Sequence, residues 1–330
     1  MPLFDMRHAL SWILLLAFPF CSKAAESSQV QLNNILLMFA FPFNARTAES
    51  PDVQLKNILM ADNAAITEIA SWIEKNKMAL RISTSERERL NSRIRKRLQD
   101  IRQMYMSFLK DHPNHTKARV AYGSFLTYID DRQGALGQWK KALADDPSNA
   151  AALNNIATHI GTIAIQNNIR TRIPEAFQSL EKAIALAPKE ALYRHNYATT
   201  LSLFRLDAMR HYKISVVEVT KRALAELEKG MELAPDDFEI AADRAETYLD
   251  LKPLPRQPAL QAWEEARKRA RHRNQVDWIN LQTAIVHLET NHLDAAEKNL
   301  SDVSKGSFQK LVHDLKTALL RKRKEKKAKP

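Results

Sequence analysis

Cysteine is almost absent: Cys21 stands alone in 330 residues, so the chain can form no internal disulfide. That does not argue against export, because a repeat protein with a large apolar core needs no covalent staple. Glycine is nearly as scarce, with six residues in all, which leaves little from which to build a phosphate-cradling loop. Neither G-x-G-x-x-G nor the P-loop pattern occurs, and H-E-x-x-H, C-x-x-C and G-x-S-x-G are missing too. The apolar run from Ala9 to Phe20 is shorter than the roughly 20 residues of a membrane span. These absences leave no constellation for an enzyme, and neither a cofactor nor a metal is expected.

What is present is helix-forming and charged. The chain is 45% apolar and 27% charged, with a formal net charge of +12. The excess is not spread along the body. Residues 111–320 hold 28 basic and 27 acidic groups, whereas 81–110 hold nine and three and 321–330 hold seven and one. A nucleic-acid groove would carry its basic residues along the body, so no specific nucleic-acid partner is expected. The two basic segments are the helix around Arg87–Arg102, with Arg89, Arg93, Lys96 and Arg97 on one side, and the tail beginning Arg321, Lys322, Arg323, Lys324. The tail has nothing to bury and is expected to be disordered. Either segment could meet an acidic surface such as a membrane, and either could be a solvated face.

Residues 1–25 read as a secretory signal: Arg7 and His8, then the apolar run, then small residues up to Ala25. The chain is therefore expected to be exported, periplasmic or secreted, and membrane-associated if the signal stays uncleaved. The end of this segment recurs 23 residues later, Ala17–Phe20 as Ala40–Phe43 and Val30–Leu32 as Val53–Leu55. Residues 26–62 thus read as a duplicated, poorly ordered linker, with the folded region spanning 63–320 and the tail 321–330.

The folded region carries a comb. Pro113, Pro147, Pro188 and Pro235 each have a small residue ten positions on: Gly123, Ala157, Ala198 and Ala245. Three further on stand Leu126, Ile160, Leu201 and Tyr248, and twelve before the last three prolines stand Ala135, Ala176 and Ala223. Small residues let paired helices approach closely. Proline ends a helix and holds the residue before it extended. The spacing predicts an all-α stack of about five helical hairpins, preceded by N-terminal helices from Asn63 and from a Ser85–Glu88 capping box. A last helix, with Phe308, Leu311, Val312, Leu315 and Leu319 on one stripe, is expected to cap the stack. Extra turns should sit at the hairpin tips near 166–172, 206–216 and 252–258. The paired aspartates at 130–131, 145–146 and 236–237 read as caps, His112, His115, His287 and His292 as surface residues, and Trp139 and Trp263 as core.

The segment Tyr122-Gly123-x2-Leu126, Ala135-x3-Trp139, Pro147 resembles the tetratricopeptide repeat (TPR), a 34-residue helical hairpin. The resemblance covers about 99–305 and implies a solenoid that binds a peptide or partner protein on its concave face without catalysis. The chain is also similar to exported bacterial TPR proteins of unassigned function. In such arrays the first helix of each hairpin lines the concave face. On that face the resemblance places Asn155, Asn196, Asp243 and Gln282, a polar ladder resembling the asparagine ladder of the O-GlcNAc transferase repeats, which holds an extended peptide by its backbone. Amides both donate and accept, so they suit that task. They suit equally the task of holding neighbouring helices in register. The two-lysine clamp of chaperone-adaptor repeats is not matched, since Val120, Ser124 and Leu192 stand at its positions.

Overall fold

The computed structural model describes residues 49–78, 83–304, 306 and 308–328. The signal segment, Cys21 and the first copy of the duplication lie outside the described residues. The chain divides into two compact units, one ending at Ala152 and one beginning at Leu153. Among the described residues every regular element is helical.

In the first unit α1 (Pro51–Asn76) packs on α2 (Thr84–Asp111), which leads into the hairpin of α3 (Thr116–Tyr128) and α4 (Arg132–Asp145). Helix α1 starts well before Asn63, correcting the expected linker from residue 51 onward. The Ser50 hydroxyl accepts from Val53 N–H, and Pro51 at the first helical position needs no partner for a missing N–H. Leu55 and Ile58 are buried with Ala65 and Ile69, whereas Ile73 faces outward. The buried stripe thus begins well before Asn63. The cap of α2 is also displaced: Ser83, not Ser85, accepts from Glu86 N–H at 3.2 Å. The arginines of α2 are largely taken up within the unit. Arg93 lies 3.8 Å over the Trp72 ring, Arg97 meets Glu68 at 2.8 Å, and Arg102 pairs with Asp131.

The second unit contains α5 (Ala150–Asn167, whose first turn belongs to the unit before), α6 (Ile173–Leu186), α7 (Ala191–Leu203) and a short α8 (Arg205–Tyr212). Then come α9 (Val216–Leu233), α10 (Phe238–Thr247), α11 (Arg256–Arg269), α12 (Arg273–Glu289), α13 (Leu293–Ser301) and α14 (Gln309–Ala328). Pairs α7/α9, α10/α11 and α12/α13 are hairpins, and α14 covers α13 and touches α12. The expected extra turns are the bend after α5, helix α8, and a 3-10 turn at Tyr248–Asp250 with the loop behind it.

The comb explains the packing. Ala135, Ala157, Ala176, Ala198, Ala223, Ala245, Ala259, Ala284 and Ala296 are all fully buried. So are the large residues four on in the second helices, Leu180, Leu227 and Trp263, with Trp139 and Leu300 close behind. The proline links repeat as one backbone structure. The residues before the four prolines, His112, Asp146, Ala187 and Ala234, have φ/ψ of −128/66, −141/90, −135/71 and −135/71. Each donates its N–H back to the carbonyl four residues earlier, and each accepts from the residue three on. Proline forbids the helical conformation to its predecessor, so every second helix stops in the same place. Two residues after the proline His115, Asn149 and Asp237 cap the next helix by accepting its first N–H groups.

Candidate functional site

The first helices of the second unit carry a polar seam, and its wiring differs from a row of free amides. On α5, Asn154 is almost wholly buried and Asn155 is partly exposed. Asn154 Nδ2 donates to Asn155 Oδ1 at 3.1 Å, while Asn154 Oδ1 accepts from Asn196 Nδ2 on α7 at 2.8 Å. On the next helix pair, His195 Nε2 lies 2.7 Å from Asp243 Oδ2, and the Thr199 hydroxyl donates to that oxygen at 3.3 Å. Asn155, Asn196 and Asp243 are thus brought onto one seam across α5, α7 and α10, each partly exposed.

Gln282 does not join them. It is buried on α12, and its Oε1 has no hydrogen-bond partner among the described residues. It is accompanied by buried Ile279, Leu281 and Ile285 on a helix buried on several sides, which the resemblance could not reveal. Two members of the seam escaped the sequence reading. Asn154 was visible as half of an Asn-Asn doublet, and His195 as the neighbour of Asn196.

Electrostatics tie His195 to the seam. Burial alone would pull its pKa down, but the hydrogen bond and charge of Asp243, with Asp237 and Glu239 beyond, outweigh burial and raise it. Desolvation and the nearby carboxylate of Asp243 push Glu239 up to about 7, against the opposing pull of His195. Leu192, one turn before Asn196, is half exposed beside the seam.

The tail residues are placed differently from expectation. Helix α14 continues through Arg321, Lys322, Arg323 and Lys324 to Ala328, so this stretch is helical rather than disordered. Arg323 bridges Asp294 at 2.6 Å and Glu297 at 2.8 Å on α13, and Arg321 lies 3.7 Å from Glu325. Two acidic residues on the neighbouring helix give the tail something to lie on, a tertiary contact that its composition does not announce. Among the described residues no group of three or more His, Cys, Asp or Glu could hold a metal ion. No helix there is long and apolar enough to cross a membrane.

Buried small residues at each helix pair, links of one repeated geometry and a polar seam along first helices define the class: an all-α chain of tetratricopeptide-like hairpins. The chain matches no protein-family model and no curated protein. Several solved structures are similar to it. PilF from Pseudomonas aeruginosa is 17% identical, with 74% of this chain and 90% of that one covered and a TM-score of 0.46. PilW, described as a widely conserved type IV pilus biogenesis factor, is 15% identical over 62% of this chain and 84% of its own, with a TM-score of 0.49. YrrB, described as a TPR protein with an unusual peptide-binding site, is 16% identical over 67% and 97%, with a TM-score of 0.45. Similarity of this degree identifies no function.

Proposed function

We propose that this protein is a non-catalytic binding protein that takes an extended peptide or a partner protein along the first helices α5, α7 and α10. The observation that carries this reading is the seam itself: Asn155, Asn196 and Asp243 lie on three first helices of one unit and all three keep partial exposure. Donors and acceptors in a row suit a peptide backbone whatever its sequence, and the apolar Leu192 beside them offers a side-chain contact. Several shallow contacts of this kind give modest affinity unless they act together. In this reading the protein works outside the cytoplasm, which the apolar run from Ala9 to Phe20 supports. Gln282 is not part of the face. Within the tail, Arg323 is occupied by Asp294 and Glu297, so this reading does not use that residue for a second surface.

The experiment is to identify a partner by affinity capture with mass spectrometry and then titrate it against variants. Asn155→Ala combined with Asn196→Ala should weaken binding by about tenfold or more, the loss of one or two good hydrogen bonds, with helicity unchanged. Asn154→Ala removes the stitch between α5 and α7 while leaving the exposed amides. If Asn154→Ala weakens the partner as much as the double variant does, the seam only holds register and the reading fails.

A further inference from the structure

The two basic segments of this chain meet different fates. On α2, Arg93, Arg97 and Arg102 are taken up within the unit by Trp72, Glu68 and Asp131. Helix α14 holds eight lysines and arginines against two acidic residues, Asp314 and Glu325. Arg323 is held by Asp294 and Glu297, and Arg321 lies near Glu325. The other six, Lys310, Lys316, Lys322, Lys324, Lys326 and Lys327, meet no carboxylate among the described residues.

The helix also sorts its charges by face. Leu311, Leu315, Ala318 and Leu319 are buried where α14 covers α13 and touches α12. Leu320 stands opposite Leu311 and Ala318 and is 60% exposed. At about 3.6 residues per turn, Lys316, Lys324 and Lys327 fall within about 40° of Leu320, whereas Asp314 and Glu325 stand about 120° and 140° away. All three lysines are exposed. A rise of about 1.5 Å per residue makes this lysine face roughly 16 Å long. Because the helix is seated on α13, the face is a fixed rod whose charges share one direction. Leu320 lies in the middle of it, with a lysine one turn before and another one turn after.

We propose that the outer face of α14 is a docking surface for a bilayer that carries anionic lipid headgroups. Lysine ammonium groups are drawn to such a surface, and the attraction fades within a Debye length. Charges on a protein therefore act together only when they reach the plane of the headgroups together. The straight run of Lys316, Lys324 and Lys327 meets that condition. Leu320 favours a membrane over a nucleic acid, because an apolar side chain amid lysines can enter the headgroup boundary and gains nothing against a phosphate backbone. The face shares no residue with the seam on α5, α7 and α10, so it stands whether or not that seam binds a peptide.

The test is co-sedimentation of the full chain with vesicles of phosphatidylglycerol and phosphatidylcholine, compared with vesicles of phosphatidylcholine alone. The difference between the two is the readout, so any binding through the apolar run from Ala9 to Phe20 cancels. The chain should prefer the anionic vesicles and lose that preference at high salt. Lys316→Gln, Lys324→Gln and Lys327→Gln together should weaken it on the order of a hundredfold, about fivefold for each lysine, with an unchanged melting temperature. Lys56→Gln, Lys75→Gln and Lys110→Gln remove the same charge from exposed sites on α1 and α2 and should leave it intact. Leu320→Gln should weaken vesicle binding severalfold. No preference for anionic vesicles, or an equal loss in the two triple variants, overturns the proposal. So does binding to duplex DNA as tight as to the vesicles with Leu320→Gln altering neither, since the occupant would then be a polyanion rather than a bilayer.

Discussion

The indole of Trp139 lies directly over Gly123: a β-carbon added at residue 123 would come within 2.3 Å of Trp139 Nε1. The close approach lets Nε1 donate to the Val120 carbonyl at 3.2 Å, one turn earlier on α3. The fourth hairpin offers a natural contrast. Ala245 has a β-carbon at the corresponding place, and there the buried Trp263 Nε1 has no partner among the described residues. Glycine at 123 is thus a packing requirement rather than a conformational one, since it sits within α3.

Replacing Gly123 by alanine should therefore destabilise the first unit. Helix propensity favours alanine by up to about 1 kcal/mol, but overpacking against the indole costs about 1–3 kcal/mol and displaces its hydrogen bond. The net effect should be a loss, read as a lower midpoint in urea with Trp139 fluorescence as the probe. A midpoint at or above that of the unaltered chain would show that the indole can shift freely.

The seam should also make stability depend on pH in a stated direction. His195 and Glu239 both have raised pKa values in the folded chain, Glu239 at about 7 against an ordinary 4.5. The folded state therefore holds more protons than the unfolded one through this range. The His195 contribution is fully present below its ordinary value of 6.5 and fades as pH rises through its raised folded value. Glu239 works the same way, since its ionisation between pH 4.5 and 7 is disfavoured in the folded state. Thermal melts should show His195→Gln well below the unaltered chain at pH 5.5 and closer to it at pH 8.5. A gap that widens with pH would contradict the pairing with Asp243.

A third expectation concerns α8, the insertion between the helices of the α7/α9 hairpin. Glu181 Oε1 accepts from Tyr197 at 2.8 Å, Tyr212 at 3.0 Å and Arg222 at 2.6 Å, so one carboxylate joins α6, α7, α8 and α9. The Arg222 guanidinium also lies 4.3 Å over the Tyr212 ring. Desolvation, followed by this crowded polar network, pushes the Tyr197 phenol far above its ordinary range. Glu181→Ala leaves two phenols and a guanidinium without their acceptor, at a cost of about 1–3 kcal/mol. Hydrogen exchange should report it as a selective loss of protection across 205–212. A uniform loss over the whole unit would mean that the carboxylate supports the stack rather than the insertion.

Most of the helical arrangement was legible along the chain. Pro113, Pro147, Pro188 and Pro235 dictate the conformation of the residue before each of them, and that constraint is local, so four links adopt nearly one geometry. The alanines repeat at the spacing at which helices touch, so their burial followed from periodicity. The boundary at Pro51 was harder to read, because 53–59 repeats the segment that follows the signal, and Leu55 and Ile58 gain their burial only from helices distant in sequence. The seam was half legible. Spacing picked out Asn155, Asn196 and Asp243, but it could not show that Asn154 makes the bond to α7 or that His195 answers Asp243.

What the amino-acid order determined by itself, then, is the hairpin: where each helix stops, where a small side chain must stand, and which face is apolar. These follow from steric rules acting over a few residues. Tertiary structure alone decided which polar side chains were consumed in holding helices together and which kept an open face. Gln282 was turned inward, Arg323 was laid against Asp294 and Glu297, and Arg256 Nε and His287 Nδ1 were left without partners among the described residues. Each outcome depends on which distant residues come within hydrogen-bonding range, and the sequence spacing on any one helix carries no record of that distance.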